Sequence, residues 1–168
     1  MKRTLLFVIT QFYRGGAETA LVNLLKALSP EDYDVDLLVL NQTTQENSLL
    51  PEVPAWVRVL DAGAENGAMP FSMTKKAFWL GGDAALRFVA GRTYDAAFSY
   101  GEWCPLEFVA QNVAARTKAV WIHTDITKSN GFDANAFFDS FLSYRYYIFV
   151  SEDTKRRAEA RYPFLIGK

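Results

Sequence analysis

The sequence predicts an α/β domain in which a doubly wound, mostly parallel sheet of about six strands carries helices on both faces. Two observations indicate this Rossmann-like class. Short apolar runs alternate with amphipathic segments along the whole chain, and the apolar runs are too short for buried helices. Strands that are apolar on both sides and alternate with helices are typical of a parallel sheet covered by two helical layers. The length of 168 residues favours one such domain over residues 1–168.

The first elements follow from apolar spacing. Residues 4–9 form a strand, because Leu5 to Ile9 is a continuous apolar run. Residues 17–28 form a helix, with leucines at i, i+3, i+4 and i+7 and an end at Ser29-Pro30. Further along, the sequence predicts a strand over 35–40, a weaker strand over 56–60 and a loop rich in glycine and alanine over 61–73.

The second half continues the alternation. A helix is predicted over 74–90, with Gly81-Gly82 as a potential break. Proline at the first turn supports a helix over 105–115, and Ser151 is a good N-cap for the last helix. The remaining elements are strands over 96–100, 118–123 and 146–150, and helices over 134–142 and 152–161.

Composition and charge exclude several classes. The net charge of −1 does not predict a nucleic-acid surface, and no apolar run reaches the roughly 18 residues of a membrane span. Cys104 is the single cysteine, so a disulfide within the chain and a thiolate metal cluster are both excluded. We therefore expect a reduced, cytoplasmic protein.

Ligands of parallel α/β sheets bind beyond the carboxyl ends of the strands. Polar and glycine residues follow four of the predicted strands, and we take the functional candidates from them. They are Gly15 and Gly16 with Glu18 after the first strand, Glu102 and Trp103 after the fourth, His123 and Asp125 after the fifth, and Ser151 after the sixth.

Gly15 and Gly16 have two interpretations. They can open the helix N-terminus to an anion such as phosphate, or they can form a plain turn that needs a positive φ. The G-x-G-x-x-G spacing of dinucleotide sites is absent, so an NAD site is not predicted. Glu18 argues against a bare phosphate site, because its carboxylate already complements the helix dipole, but it could bind a hydroxyl group.

His123 is the one histidine of the chain. At a strand end it could donate to a hydroxyl or a phosphate oxygen, and the alternative is an ordinary packed or surface side chain. Asp125 could orient the ring or cap a turn. Glu102 and Asp125 could serve as an acid–base pair, although two solvated loop carboxylates are the simpler interpretation.

Four aromatic residues are predicted in loops at or near this edge, and flat apolar rings suit stacking on sugars or bases. In a chain with 15% aromatic residues, chance placement explains them nearly as well. They are Phe12, Tyr13, Phe71 and Trp103.

Three stretches together resemble the N-terminal half of family 4 glycosyltransferases. They are "GGAETALVNLLKAL…YDVDLLVLN", then "KAVWIHTD", then "YYIFVSEDTKRR", and they run through most of the chain. The Gly-Gly-Ala-Glu opening and the Trp-Ile-His-x-Asp strand end are the most specific elements. Their order along the chain is more specific than any one of them.

The resemblance implies a two-domain GT-B enzyme. It would transfer a sugar from a nucleoside diphosphate to an acceptor hydroxyl with retention of configuration and without an obligatory metal. The resemblance assigns Gly15 and Gly16 to the donor diphosphate and His123 to the transferred sugar. Candidate contacts with acceptor or donor are Tyr13, Glu18, Phe71, Glu102, Trp103, Asp125 and Ser151.

The donor-binding C-terminal domain is absent from this chain, so we expect the chain alone to have little or no transferase activity. The implied partners are that domain and a sugar or glycolipid acceptor, in glycan or polysaccharide synthesis. A location at the inner face of the membrane, with peripheral contact, is compatible with the resemblance. The competing functions are half of a nucleotide-sugar epimerase and a non-catalytic module that binds a glycan or a protein.

Overall fold

The computed structural model describes residues 1–42, 46–66, 82–129 and 133–167. In this part of the chain six strands form one sheet, every neighbouring pair is parallel, and the strand order is β3-β2-β1-β4-β5-β6. The strands are β1 (Arg3–Ile9), β2 (Tyr33–Val39), β3 (Arg58–Asp61), β4 (Thr93–Tyr100), β5 (Ala114–Ile122) and β6 (Tyr146–Phe149).

Within the described residues, α-helices follow five of these six strands, and β2 is followed by β3 without an α-helix between them. The helices are α1 (Gly16–Ala27), α2 (Ala62–Asn66), α3 (Gly82–Val89), α4 (Cys104–Asn112), α5 (Phe138–Leu142) and α6 (Glu152–Arg161). Single 3-10 turns occupy Leu50–Glu52, Ala134–Phe137 and Pro163–Leu165. This alternation confirms the predicted Rossmann-like α/β class.

The sheet separates two hydrophobic clusters, because successive side chains of a strand point to opposite faces. On one face, which we call the α1 face, Phe7 and Leu37 pack with Leu21 and Leu25 of α1 and with apolar residues of segment 49–57. On the opposite face, the other helices pack against the alternate residues of the same strands, such as Leu6. Helices therefore lie on both faces, as the apolar strands predict.

Most predicted elements are present, with shifted bounds. β3 begins at Arg58 rather than at 56. The predicted loop over 61–73 is wrong at its start, where α2 follows β3 without a loop, and residues 67–73 lie outside the described residues. The helix predicted over 134–142 divides into a 3-10 turn and α5. Of the helix predicted over 74–90, α3 begins at Gly82, and residues 74–81 lie outside the described residues.

The helix predicted over 105–115 is too long at its C-terminal end. The α4 helix ends at Asn112, and β5 already begins at Ala114. Ala114 and Ala115 pair with Thr93 and Tyr94 of β4. Alanine favours helices locally, but pairing with the sheet decides the conformation here.

Candidate functional site at the carboxyl edge of the sheet

The strand order places a switch point between β1 and β4. The chain winds outward from β1 through β2 to β3 on one side and from β4 through β5 to β6 on the other. The loops after β1 and β4 diverge at such a point, and this is where α/β sheets bind ligands. The loop before α1 and the turn before α4 therefore flank the expected position of a ligand.

Neither glycine of the first loop needs a positive φ. Gly15 is the N-cap of α1 with φ −146° and ψ 174°, an extended conformation open to any residue. Gly16 begins the helix and is exposed, and a Cβ built on it meets no atom within 4 Å. A turn that requires positive φ, the plain alternative, is therefore wrong for both glycines.

Gly15 instead makes room for Glu18. A Cβ on Gly15 would collide with Oε2 of Glu18, so the carboxylate lies against the backbone at the N-terminus of α1. Glu18 is the third residue of α1, the position from which glutamate side chains commonly fold back toward the N-cap. The N-terminus of α1, which we call the helix mouth, thus has the exposed backbone of Gly16 next to the carboxylate of Glu18.

Tyr100, at the end of β4, lies between Glu18 at the start of α1 and His123. Its side chain is 3% exposed. Burial is the main cause that raises the pKa of Tyr100 to about 12, and the nearby Glu18 carboxylate contributes to this shift. The Tyr100 ring lies 4.5 Å, centroid to centroid, from the imidazole of His123. Glu18, Tyr100 and His123 therefore form a row along the carboxyl edge.

His123 follows directly after β5 and is partly buried. Its ring is nearly parallel to that of Trp121 at a centroid distance of 6.3 Å. Burial lowers the pKa of His123 from 6.5, and the Glu102 carboxylate opposes this shift only in part. The imidazole is therefore mainly neutral at pH 7.

Nε2 of His123 is buried and has no hydrogen-bond partner among the described residues. A buried polar atom without a partner is uncommon and costs free energy of about 1–3 kcal/mol. On a neutral ring, Nε2 either donates or accepts one hydrogen bond, depending on the tautomer. Nε2 of His123 therefore has one hydrogen-bonding position that no described residue uses, and a ligand can reach it only when the side chains that bury it move.

Glu102 positions His123 through the backbone. The Glu102 side chain is 3% exposed, and its carboxylate accepts hydrogen bonds from the backbone N–H groups of His123 and Thr124, both at 3.1 Å. The Thr124 hydroxyl donates to the same carboxylate. Gly101, with φ 151°, provides the backbone turn that precedes this buried carboxylate. Glu102 is thus a positioning residue that ties the ends of β4 and β5 together.

The Asp125 side chain caps the turn that it begins and also contacts Arg157 of α6. Its carboxylate accepts from the backbone N–H of Thr127 at 3.1 Å and from the Thr127 hydroxyl, and it lies 3.6 Å from both Lys128 and Arg157. The Thr127 hydroxyl bond is the main cause that lowers the pKa of Asp125. These contacts match the turn-capping alternative, and the side-chain hydrogen bonds described for Asp125 do not involve His123.

The remaining candidates differ in their surroundings. Ser151 caps α6, accepting from the backbone N–H of Thr154 at 3.2 Å, as its N-cap position predicts. Tyr13 is half-buried and forms an isolated antiparallel bridge with Ser48, and Trp103 is exposed at the start of α4. Phe12 is fully buried on the α1 face, so it is not available for stacking. Phe71 lies outside the described residues.

Sequence reasoning missed Tyr100 and Trp121. Both occur within predicted strands, where an aromatic residue is expected to be core. The register that places Tyr100 opposite Trp121 depends on β4 and β5 being neighbours. The position of Tyr100 as the last strand residue before a Gly-Glu turn was the available signal.

No group of three or more histidine, cysteine, aspartate or glutamate side chains suited to a metal occurs within the described ranges. Among the helices in those ranges, none combines the length and the apolar character needed to cross a membrane. Comparison with protein-family models, curated proteins and solved structures gave no match. The resemblance to family 4 glycosyltransferases therefore stays a prediction from the sequence motifs.

Proposed function

We propose that the chain is the acceptor-side half of a retaining glycosyltransferase, which moves a sugar from a nucleoside diphosphate to an acceptor hydroxyl. One observation supports this most strongly. The exposed Gly16 backbone, the Glu18 carboxylate, the Tyr100 ring and the unpartnered Nε2 of His123 follow one another along a single edge of the sheet. Such an edge offers groups for a diphosphate and for sugar hydroxyls.

In this proposal the donor diphosphate approaches the start of α1 at Gly16. A Cβ there would project into open space, and the first N–H groups of a helix have no partner within the helix. The helix dipole adds roughly half a positive charge at this end. Because the Glu18 carboxylate lies at Gly15, the chain alone binds the diphosphate weakly, and cations from the second half of the enzyme strengthen this binding.

His123 would bind a hydroxyl group of the transferred sugar through Nε2. A neutral imidazole suits this role, because it donates or accepts without placing a full charge beside the sugar. Glu102 fixes the backbone from which the ring projects, so the hydroxyl meets a ring whose position is set before binding. Glu18 lies between the two sites and is a candidate for an acceptor contact, whereas the buried Tyr100 ring packs against His123.

The reaction breaks the bond from the anomeric carbon to the diphosphate and forms one to the acceptor oxygen, whose proton leaves with the diphosphate. The chain contributes dipoles and positioning rather than a nucleophile, and stabilising the departing negative charge is the main electrostatic task. Catalysis requires both reactants held together, so a second half must complete the cleft.

Thermal unfolding with added ligands tests the proposal. We expect nucleoside-diphosphate sugars to raise the melting temperature, because a ligand that binds the folded state stabilises it. Gly16→Val fills the space in front of the helix mouth and should abolish this shift. Ala20→Val, an exposed site one turn further along α1, is the matched control and should retain it.

Two results would contradict the proposal. If the ligand still raises the melting temperature of the Gly16→Val variant, the ligand does not bind at the N-terminus of α1. A shift produced by oligosaccharides and by no nucleoside-diphosphate sugar would favour the non-catalytic glycan-binding module instead.

A further inference from the structure

The α1 face of the sheet is covered over only part of its width. The apolar residues packed on this face come from α1 and from segment 49–57, next to β1, β2 and β3. Apolar residues of α4, α5 and α6 belong to the cluster on the opposite face. Parallel sheets are normally buried on both sides, so the α1 face over β4, β5 and β6 lacks a covering element within the described residues.

An apolar trough marks this uncovered area. It has a volume of about 830 Å³ and lies beside Leu24 and Leu28 of α1. Its floor is formed by Ala96 and Phe98 of β4, Trp121 of β5 and Ile148 of β6. Tyr146, two residues before Ile148 on the same face of β6, is 47% exposed. A contiguous apolar surface of this kind typically marks an interaction site.

The dimensions of the trough suit one α-helix. Strands in a sheet lie about 4.8 Å apart, so β4 to β6 span about 10 Å, and a helix with its side chains is about 10 Å wide. The α1 helix is already seated in this way over the neighbouring strands and runs antiparallel to them, since it joins the carboxyl end of β1 to the amino end of β2.

Cationic side chains outnumber carboxylates along the amino-terminal end of the trough, while Glu31 and Asp32 line the adjoining pocket. Lys2, Arg3 and Arg116 line this end of the trough, together with the one carboxylate of Asp95, which lies 3.1 Å from Arg116. Lys2 also lies 3.5 Å from Asp34 at the sheet edge. A helix antiparallel to the strands would place its C-terminal end here, where its dipole is negative and carboxylates in its last turn would meet cations.

We propose that this trough binds an amphipathic α-helix of a partner protein, with its apolar stripe on Phe98, Trp121 and Ile148 and with acidic residues in its last turn against Lys2, Arg3 and Arg116. The proposal is independent of the sugar-transfer function. It has one consequence for the carboxyl edge, because the bound helix covers Trp121, whose ring stacks on His123. Binding of the helix should therefore change the surroundings of the His123 imidazole.

Three synthetic peptides of equal length test the proposal. The first has a leucine stripe at i, i+3, i+4 and i+7 and glutamates in its last turn. The second replaces these glutamates by lysines, and the third shuffles the leucines out of register. By fluorescence anisotropy we expect the glutamate peptide to bind saturably and about tenfold more tightly than the lysine peptide, because three charge contacts change sign. The shuffled peptide should not bind.

Variants of the chain localise the binding. The double variant Arg3→Glu with Arg116→Glu alters exposed side chains and should remove the preference for the glutamate peptide. Arg156→Glu with Arg161→Glu, an equal charge change on α6, is the matched control and should keep that preference. Ile148→Ser should weaken the binding of both leucine-striped peptides.

Each other outcome overturns the proposal. These outcomes are no binding of the glutamate peptide, equal binding of all three peptides, or an equal effect of the two double variants. Concentration-dependent dimerisation of the chain that Ile148→Ser abolishes would assign the trough to a second copy of the chain. Binding to anionic lipid vesicles that Ile148→Ser abolishes, without peptide binding, would assign it to a membrane.

Discussion

At the scale of single residues, the imidazole of His123 has a distinct electrostatic environment. Burial lowers its pKa below 6.5 in the folded chain, so the unfolded chain takes up this proton at higher pH. The free energy of unfolding should therefore fall as the pH is lowered through 6.5, and the loss should be complete below the pKa of the folded state.

This pH dependence is directly measurable, because His123 is the one histidine of the chain and its ring protons give unambiguous NMR signals. We expect a titration midpoint below 6.5. His123→Gln should remove the contribution of this group to the dependence of stability on pH. A midpoint at or above 6.5 would contradict the burial of the ring.

Glu102 is the second residue with a clear structural consequence. In Glu102→Gln, the amide group would place a donor against backbone N–H groups that now donate to the carboxylate. We expect a loss of about 1–3 kcal/mol in the free energy of unfolding, measured with urea, and displaced His123 ring signals. Glu31→Gln, at an exposed position, should change neither quantity. Wild-type signals in Glu102→Gln would show that Glu102 does not position His123.

At the scale of elements, the direct passage from β3 into α2 requires a glycine. A Cβ on Gly63 would lie 2.6 Å from both the backbone N and O atoms of Gln42. We expect Gly63→Ala to destabilise the chain by about 1–3 kcal/mol, because the backbone must shift. Gly16→Ala, where a Cβ meets open space, should be neutral or stabilising by up to about 1 kcal/mol. Equal urea midpoints for the two variants would contradict this packing.

Elements with a strong local pattern were predictable, and those decided by pairing were not. The buried runs of β1 and β2 and the leucine stripe of α1 identify these elements in the sequence alone. The end of α4 could not be predicted, because the alanines at 114 and 115 join a strand only through contact with β4. The same holds for α2, which forms inside a stretch whose composition indicates a loop.

The candidate site was predictable in position but not in its contacts. Strand ends in the sequence place Gly15, Gly16 and His123 at the carboxyl edge, because parallel strands all end on one side. The approach of Tyr100 to His123 depends on strand order and register, which the sequence does not display. The turn at Gly101 decides whether Glu102 faces solvent or bonds to the end of β5. The local sequence pattern does not predict the conformation of this turn.

At the scale of the whole molecule, the strand order brings the loops after β1 and β4 to one switch point and leaves one half of the α1 face without a described helix. Under the proposed function, the chain of residues 1–168 should bind a nucleoside-diphosphate sugar without transferring the sugar. A radiolabel transfer assay with glycan acceptors checks this expectation. Rapid turnover by the chain alone would mean that no second half is needed.

The NMR titration of the His123 ring with nucleoside-diphosphate sugars tests the central claim most directly, because it reports whether one edge binds both the diphosphate and the sugar. We expect saturable shifts of the ring protons in the wild-type chain and in Ala20→Val, and none in Gly16→Val. Ring signals that stay unshifted while a nucleoside-diphosphate sugar stabilises the chain would place the binding site elsewhere and contradict the proposal.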